Sequence, residues 1–574
     1  MPSTAFRQRI ESALLFSLCA ALASRAALRQ PGLATGPARL TAGPPPWAER
    51  GKPRTPEEAA LGLEADAELD EARRAWEEIL LLNPAHGLAH TRLAALAFTA
   101  GDHARCEEHR ALALRFGGAL PSVLAASCAP EIGRLAARGG AALPIVLPPS
   151  RVDLGAGTSH SAETILTAGN GTELVAAWTD LRSGGNAGPW KVGAAVSLNG
   201  GATWSDRVVG GPTAASGDFE GDPMVAYDPR TGNSWVGGIL FEFPTKATPD
   251  IWIARRPPGA TSFNAPVRTS FDGFIDKGLL AAGPRPGLAN STRLYLTYSK
   301  GIQFSDDLGA SWSAPQALPF TLGYQPRIGA NGTLYVLYWE VPLHYKLIKS
   351  TDGGLTFGAP VTVATRLGVW TSEENNPRVP GEFRVAPLAY LAVSPTTGVL
   401  HVVYPDQTAV SGTEYDINLY YTRSTNGGAT WSLPVVLNGD STPPRDQFQA
   451  WLETDPSGRL HVISFDTRAT VQLDGDNNAV IGVTYTTSQD DGATWSELEV
   501  TPATLESDRA AFSLFQQFVG DYIALSPAGD RVHLIYPTTA DGHLHIAHQI
   551  LDFQGIFADG FESGTAAAWS TVVP

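Results

Sequence analysis

The sequence predicts a mainly β protein built from repeated sheets, with a small α-helical segment in front of them. Two repeats and one change of periodicity lead to this prediction. A turn of the form Ser-x-Asp-x-Gly-x-Thr-aromatic recurs along the chain, and a strand–turn–strand phrase recurs with it. Nearer the N-terminus, apolar residues recur at helical spacing instead. The chain has 574 residues, of which 59 are Gly and 43 are Pro, a composition that suits many short strands joined by turns.

The composition argues against several functional classes. Charged residues are only 17% of the chain, and its net charge of −16 contains no block of like charge. Because an acidic chain is not attracted to phosphate backbones, no nucleic-acid partner is expected. No His or Cys cluster has the spacing of a zinc site. The segment Asp474 to Ala479 lacks the Gly and the bidentate Glu of an EF-hand loop, so we expect a polar turn there and no metal or other cofactor.

The first residues predict export. Arg7 and Arg9 precede an apolar run from Ala13 to Ala23, and small residues follow it. This order is typical of a signal peptide, and the run is too short to span a bilayer comfortably. We therefore interpret residues 1–26 as a signal peptide and residues 27–57, rich in Pro, Ala and Gly, as a flexible leader. No later stretch of the sequence could span a membrane, so a secreted or periplasmic protein with bacterial-type export is expected.

Residues 58–142 predict a helical domain. The pattern resembles about one and a half tetratricopeptide units, matched by Ala72, Trp76, Pro84, Leu93, Ala94, Gly101, Asp102, Cys106 and Ala113. Because so few units form no broad concave groove, we interpret the domain as a cap or spacer; the alternative is a module that docks a protein partner. Cys106 and Cys128 either form one disulfide or are two small buried residues.

The recurring turn is the strongest signal in the chain. Five good copies occupy residues 197–204, 305–312, 350–357, 424–431 and 488–495, and a decayed copy occupies residues 257–263. An Asp or Asn side chain accepts hydrogen bonds from the N–H groups of such a turn, and Gly takes a backbone conformation that other residues avoid. The copies resemble the Asp-box, or bacterial neuraminidase repeat, of the sialidase superfamily. That resemblance implies a β-propeller with the boxes between the outer strands of its blades, away from the catalytic face.

The longer phrase predicts the number of blades. Seven strand–turn–strand starts argue for seven blades, although uneven spacing leaves six open. The seventh copy ends after a third strand, and the spare segment from Leu143 to Pro149 is predicted to close the ring by pairing with it. The propeller is then expected over residues 143–552, with a C-terminal tail of unassigned chemistry over residues 553–574.

The sialidase resemblance also predicts what a catalytic site would need. Sialidases grip a substrate carboxylate with three arginines and use a Tyr–Glu pair and an Asp; this chain has Ser161-Ala162-Glu163 where the first arginine phrase belongs. No catalytic residue is assigned. The candidate binding residues at the mouth of the channel are Asp180, Arg182, Asp222, Asp276, Lys277, Arg327, Arg384, Asp446, Asp466, Arg468, Asp521 and Tyr522. They form either a salt-bridge network between blades or a polar ligand site.

These observations favour an exported, non-catalytic binding or scaffold protein with a glycan, peptide or protein ligand. One alternative is a glycoside hydrolase, exo-sialidase-like, with a rearranged site. Another is an assembly factor in which the helical domain and the propeller hold a client together.

Overall fold

The computed structural model describes residues 56–65, 69–99, 103–120, 124, 143–154, 164–167, 169–180, 191–209, 219–241, 250–269, 276–319, 321–368, 385–411, 414–439, 445–468, 480–506, 511–513, 516–539 and 544–553. The predicted signal peptide, most of the leader and nearly all of the C-terminal tail lie outside these ranges.

In the described part of the chain, four helices precede the sheets, as the helical spacing predicts. They are α1 (Pro56–Ala65), α2 (Leu69–Leu82), α3 (Gly87–Thr99) and α4 (His103–Arg115). Trp76 of α2 is fully buried against Ala60, Ala89 and Leu93. None of the described helices is long and apolar enough to cross a membrane. Cys106 is buried and disulfide-bonded, whereas Cys128 lies outside the described residues. The tetratricopeptide resemblance itself stays a prediction.

Helix α3 packs directly against the sheets. The buried Arg92 donates from Nη2 to the Leu367 carbonyl oxygen at 2.8 Å. Ala94 and Ala95 belong to the same apolar cluster as the core of the sheets. The helices and the sheets therefore share one core, and the boundary between the two domains stays a prediction of the sequence.

The sheets consist of short antiparallel strands. Two strands come first, β1 (Ile145–Val146) and β2 (Ser150–Arg151). Blade 1 holds β3 (Thr164–Thr167), β4 (Leu174–Asp180), β5 (Lys191–Ser197) and β6 (Ser205–Val208). Blade 2 holds β7 (Phe219–Asp228), β8 (Asn233–Phe241), β9 (Asp250–Arg256) and β10 (Val267–Thr269). Blade 3 holds β11 (Leu279–Arg285), β12 (Leu288–Tyr298), β13 (Gly301–Ser305) and β14 (Gln316–Ala317). Blade 4 holds β15 (Leu322–Ile328), β16 (Leu334–Glu340), β17 (His344–Ser350) and β18 (Val361–Thr365).

The remaining strands continue the pattern. Blade 5 holds β19 (Tyr390–Val393), β20 (Leu400–Ser411), β21 (Glu414–Ser424) and β22 (Val435–Val436). Blade 6 holds β23 (Gln447–Thr454), β24 (Leu460–Asp466), β25 (Val480–Ser488) and β26 (Ser496–Glu506). A small hairpin, β27 (Ala511–Ser513) and β28 (Gln516–Phe518), follows. Blade 7 holds β29 (Ala524–Ala528), β30 (Arg531–Thr538) and β31 (His545–Asp552) together with β1 and β2.

The blades form a closed ring. Each innermost strand contacts the innermost strand of the next blade, from β3 through β7, β11, β15, β19 and β23 to β29, and β29 contacts β3. The sequence prediction of a β-propeller is confirmed, and the count of blades is seven, not six.

Blade 7 is completed by the spare N-terminal segment, as predicted. Strand β1 pairs antiparallel with β31, and β2 pairs with the same strand further along. The Leu147 N–H donates to the Ile550 carbonyl at 2.9 Å, and the Val152 N–H donates to Ile546 at 3.0 Å. One sheet thus contains strands from both ends of the ring, so that closure leaves no unpaired edge on β31.

Each of the five turns that resemble an Asp-box, called boxes from here on, is a hydrogen-bonded turn between the third and fourth strands of its blade. In blade 5, the Ser424 hydroxyl donates to Asn426 Oδ1 at 2.9 Å and accepts from the Gly428 N–H at 2.9 Å. Asn426 Oδ1 also accepts from the Thr430 N–H at 2.9 Å. Gly428 has a φ of 84°, so its predicted left-handed conformation is confirmed. The same three bonds recur in the other four boxes.

The boxes also join neighbouring blades. Trp495 of the blade 6 box packs edge-on against Tyr421 of blade 5, with ring centroids 4.9 Å apart. Trp204 of the blade 1 box packs in the same way on His548 of blade 7, at 5.1 Å.

Because third strands run parallel to inner strands, the boxes lie at the end of the ring where inner strands finish. We call the opposite end, where inner strands begin, the upper face.

Closure gives the first testable prediction. Deleting Pro144 to Val152 should lower the melting temperature and promote aggregation, because it exposes the edge of β31. Differential scanning calorimetry and light scattering measure both effects. Leu154→Ala, at an exposed residue just beyond the paired segment, is the control and should change neither. A truncated protein that stays monomeric and melts like the parent would contradict this account of closure.

The Asp-box gives the second. A Cβ at Gly428 would come within 2.4 Å of Leu347 Cδ2, and its φ disfavours β-branched residues. Gly428→Val should therefore cost about 2–4 kcal/mol of unfolding free energy. Gly398→Val is the control: its φ is 72° but a Cβ there meets nothing within 4 Å, so it should cost less. Asn426→Asp should leave the unfolding free energy almost unchanged, because Asp352 fills the same place in the blade 4 box. There, hydrogen bonds from Thr356 lower the pKa of Asp352 to about 2. Equal losses from Gly428→Val and Asn426→Asp in urea unfolding would refute the role given to the glycine.

Candidate functional site

The inner strands begin with a repeated backbone feature at the upper face. Asp222, Lys277, Gly323 and Gln449 have φ values of 48°, 51°, 68° and 47°, in four different blades. Strands β7, β15 and β23 have irregular register at this point. Non-glycine residues rarely adopt this conformation, and such residues often mark functional sites. In blades 4 and 6, the side chain two positions after the left-handed residue lines the central channel.

A buried lysine lies at the upper end of the channel. Lys277, whose side chain is 4% exposed, forms an ion pair with the fully buried Asp521. Its Nζ is also 3.9 Å from Asp222 Oδ1 and 3.9 Å from Asp276 Oδ1. The Lys277 N–H donates to Asp222 Oδ2 at 3.1 Å. This lysine cluster, made of Lys277, Asp222, Asp276 and Asp521, therefore ties together blades 2 and 3 and the start of blade 7.

Lys277 also lines a narrow cavity whose other walls are mostly apolar. Leu279, Gln325, Tyr390, Trp451 and Tyr522 contribute to its lining. The rings of Tyr390 and Trp451 are 4.7 Å apart, which fixes both. The empty volume of the cavity is about 320 Å³, which includes open solvent.

Gln325 is the polar group of that wall whose hydrogen bonds are incomplete. It is 1% exposed. Its Oε1 accepts from the Leu391 N–H, which fixes the orientation of the amide, because only the oxygen can accept. Its Nε2 has no hydrogen-bond partner among the described residues.

A second ion pair crosses the ring one layer deeper. Arg327 of blade 4 contacts Glu453 Oε1 of blade 6 at 2.6 Å, and the Trp451 indole N–H donates to the same oxygen at 3.0 Å. Burial raises the pKa of Glu453, while Arg327 and the indole N–H oppose that rise. Both cations of the described channel, Lys277 and Arg327, are therefore held by carboxylates of the protein itself.

The other predicted residues are less central. Asp446 Oδ1 accepts from the Ile417 N–H at 2.9 Å, which ties blade 6 to blade 5. Arg468 bridges Asp466 and Glu497, each at 2.6 Å, within blade 6. Burial raises the pKa of Asp466, and Arg468 opposes that rise. Glu497 also accepts from the Gly439 N–H of blade 5 at 3.0 Å. Ion pairs between blades occur elsewhere, as in Lys191–Glu220 at 3.2 Å.

Asp180 is buried at the end of β4, opposite Lys191 in the register. Arg182, Arg384 and Ser161-Ala162-Glu163 lie outside the described residues. The structure thus brings together Asp222, Asp276, Lys277, Asp521 and Tyr522, with Arg327 deeper in the same channel.

Sequence reasoning missed Gln325, Tyr390, Trp451 and Glu453. Gln325 and Trp451 stand two residues after a left-handed residue, and Glu453 stands four residues after one. The phrases "GYQPRI" and "QAWLET" could have been aligned on that residue, which would have placed the Arg and the Glu at the same level of the ring.

Comparisons with known proteins found matches among solved structures alone. No protein-family description and no curated protein matches the chain. Solved structures do match, among them a protein of unknown function from Dyadobacter fermentans, at 15% identity over 72% of this chain and 100% of that one, with a TM-score of 0.41. The NanB sialidase of Streptococcus pneumoniae matches at 10% identity over 71% of this chain and 70% of that one, TM-score 0.38. A leech intramolecular trans-sialidase matches at 14% over 71% of each, TM-score 0.36. At such identities and TM-scores these matches carry no argument about family or activity.

The lysine cluster gives the third prediction. Lys277→Met leaves Asp521 buried without its cation, which should cost about 3–5 kcal/mol of unfolding free energy. Combining Lys277→Met with Asp521→Leu should recover most of that loss, since no buried charge then lacks a partner. Lys349→Met is the matched control, because that ammonium makes one exposed bond to the Gly427 carbonyl at 3.0 Å. A Lys277→Met variant as stable as Lys349→Met in urea unfolding would show that the cluster does not hold the ring.

Proposed function

We propose that this protein is an exported, non-catalytic β-propeller that binds a glycan, peptide or protein at its upper face. The observation that carries the proposal is the pairing of both described channel cations with carboxylates of the protein. Lys277 is held by Asp521 and Arg327 by Glu453. Cations engaged in this way are not available to grip a substrate carboxylate.

The energetics of exchange support this reading. A sialoside carboxylate would have to displace Glu453 from Arg327, or Asp521 from Lys277. The Lys277–Asp521 pair is buried, and loss of one partner of such a pair costs on the order of 2–5 kcal/mol. Since each 1.4 kcal/mol is about tenfold in rate or affinity, turnover should fall by several orders of magnitude.

The remaining sequence features fit a scaffold. The predicted signal peptide and the single disulfide of Cys106 suit an oxidising, extracytoplasmic location. The helices share a core with the sheets, with Arg92 bonded to Leu367. We interpret them as a brace on the propeller, and a protein partner of the helical domain is the less favoured role.

The fourth prediction is that the protein does not cleave ordinary sialosides. Release of a fluorophore from a 2-linked sialoside should stay at background at acidic and neutral pH. Arg327→Ala should leave that background unchanged. Turnover in the range of a typical enzyme, abolished by Arg327→Ala, would overturn the proposal and establish the glycoside hydrolase alternative.

Binding itself is tested with the full chain on glycan and peptide arrays, where saturable binding to at least one class is expected.

A further inference from the structure

Two buried histidines lie at the seam of the ring, where blade 7 meets blade 1. His533 Nδ1 of β30 is 3.0 Å from His548 Nε2 of β31, and the two rings stack with their planes 12° apart. On the far side of the second ring, His548 Nδ1 is 3.4 Å from the hydroxyl oxygen of Ser150 in β2. This histidine pair, His533 and His548, therefore connects the last two strands of the ring with the segment that closes it.

Blade 1 packs directly on the histidine pair. Besides the edge-on contact of Trp204 with His548, a Cβ at Gly201 would come within 2.2 Å of His548 Cε1, so the backbone of the blade 1 box lies against this ring. Two neutral imidazoles share one hydrogen bond, in which one nitrogen donates and the other accepts. His533 Nε2 is buried without a hydrogen-bond partner among the described residues. These contacts suit two uncharged rings.

The surroundings of the pair offer no counter-ion for an added proton. No carboxylate of the described chain forms an ion pair with either ring. The charged group that acts on His533 is Arg531, which has the same sign as an imidazolium. Asp552 pairs with that arginine at 3.0 Å, and Asp153, which follows β2, lies 3.3 Å from a different histidine, His545. A buried charge without a partner is strongly unfavourable, so the closed seam resists protonation.

The direction of the pH effect follows from the pKa values of the pair. Burial, together with Arg531, lowers the pKa of His533 to about 4. Burial, together with His533, lowers the pKa of His548 to about 3. In water a histidine has a pKa of about 6.5. Below about pH 6.5 an opened seam therefore binds more protons than a closed one, so falling pH favours opening, whereas above it both rings are neutral in both forms.

The seam differs from the other places where the fold buries a histidine in this way. His401 and His461 occupy the equivalent position in blades 5 and 6, directly after the residue that pairs with the box serine. Burial also lowers the pKa of His401, to about 3, but these rings lie 3.6 Å from Asp491 Oδ1 and 3.5 Å from Asp455 Oδ2. Their interfaces also join blades that follow one another along the chain. The seam is closed by β1 and β2 alone, of two residues each.

We propose that closure of the ring is acid-sensitive: when the histidine pair takes up protons, blade 1 and the closing segment, residues 144–152, separate from blade 7. The separation exposes the edge of β31 and reverses when the pH returns to neutral. It is a property of the ring itself and does not depend on which ligand the upper face binds.

The test is hydrogen exchange of the full chain between pH 7 and pH 4.5, corrected for the pH dependence of the intrinsic exchange rates. Peptides that cover residues 144–152 and β31 should lose protection in acid, because the N–H groups of Leu147 and Val152 donate across the seam. The open fraction at pH 5 should exceed that at pH 7 by about tenfold or more. Peptides of β25 in blade 6 should keep their protection, and return to pH 7 should restore that of the seam.

Removing the titrating groups should remove the effect. In the double variant His533→Asn with His548→Gln, neutral amides replace both rings, and protection of β31 should change little between pH 7 and pH 4.5. His461→Gln is the matched control: it removes a buried histidine from the equivalent position in blade 6, and the seam should still open in acid.

A second pair of variants tests the missing counter-ion if the double variant does not fold. Ser150→Asp places a carboxylate beside His548 Nδ1 at an exposed position of β2. Because a carboxylate stabilises an imidazolium, the seam of this variant should stay closed to lower pH than in the parent. Ser150→Asn is its uncharged control and should open as the parent does.

Four results would overturn the inference. The first is protection of β31 that does not change between pH 7 and pH 4.5. The second is equal loss in β31 and β25, which is acid unfolding of the whole ring. The third is an unchanged acid response in a folded double variant. The fourth is identical behaviour of Ser150→Asp and Ser150→Asn.

Discussion

The pairing of β31 with β1 is the contact on which the rest of the structure depends. A propeller of four-stranded blades buries apolar surface only between neighbouring blades, so an open ring would expose two blade faces and a sheet edge. Here the segment that follows the helices supplies the outer strand of blade 7, and blade 7 then packs on blade 1 through β29 and β3. The ring is held at its seam by backbone hydrogen bonds between residues some four hundred positions apart. The first residues of the propeller and its last are therefore a single structural unit.

Closure also determines the chemistry of the channel. Seven inner strands that begin at one level bring their first side chains to a narrow axis, where charges are removed from water. Charged groups there must find partners, because an isolated buried charge costs several kcal/mol or more. Lys277 reaches Asp521 and Arg327 reaches Glu453, in each case in a blade that is not adjacent in sequence. These two ion pairs of the channel therefore help to hold the ring together.

The fold was readable from the sequence because its determinants are local. Each box places Ser, Asp or Asn, and Gly within five residues of one another, and the same hydrogen bonds form in every copy. Seven strand–turn–strand phrases predicted the count of blades, and an unpaired β-like segment predicted the closure. Only the packing between blades could not be predicted from these local patterns. Trp204, for example, meets His548 because blade 1 follows blade 7 in the ring.

The site was readable only in part. Asp222, Asp276, Lys277, Asp521 and Tyr522 were found because each stands at the start of an inner strand. The ion pairs that these residues form could not be predicted, because the order and tilt of the blades decide which residues meet across the ring axis. Gln325, Trp451 and Glu453 were missed because the inner strands were not aligned on the left-handed residue from which their positions in the channel are counted.

The pattern of satisfied and unsatisfied groups separates structural residues from ligand-binding ones. Two ion pairs, Lys277 with Asp521 and Arg327 with Glu453, lie in the channel. A substitution in either pair should therefore act first on stability. The amide of Gln325 is different: its oxygen accepts a hydrogen bond from the backbone of blade 5, while its nitrogen is buried without a hydrogen-bond partner in the described chain. A buried donor without a partner lowers stability, and a leucine at this position would not carry that free-energy cost.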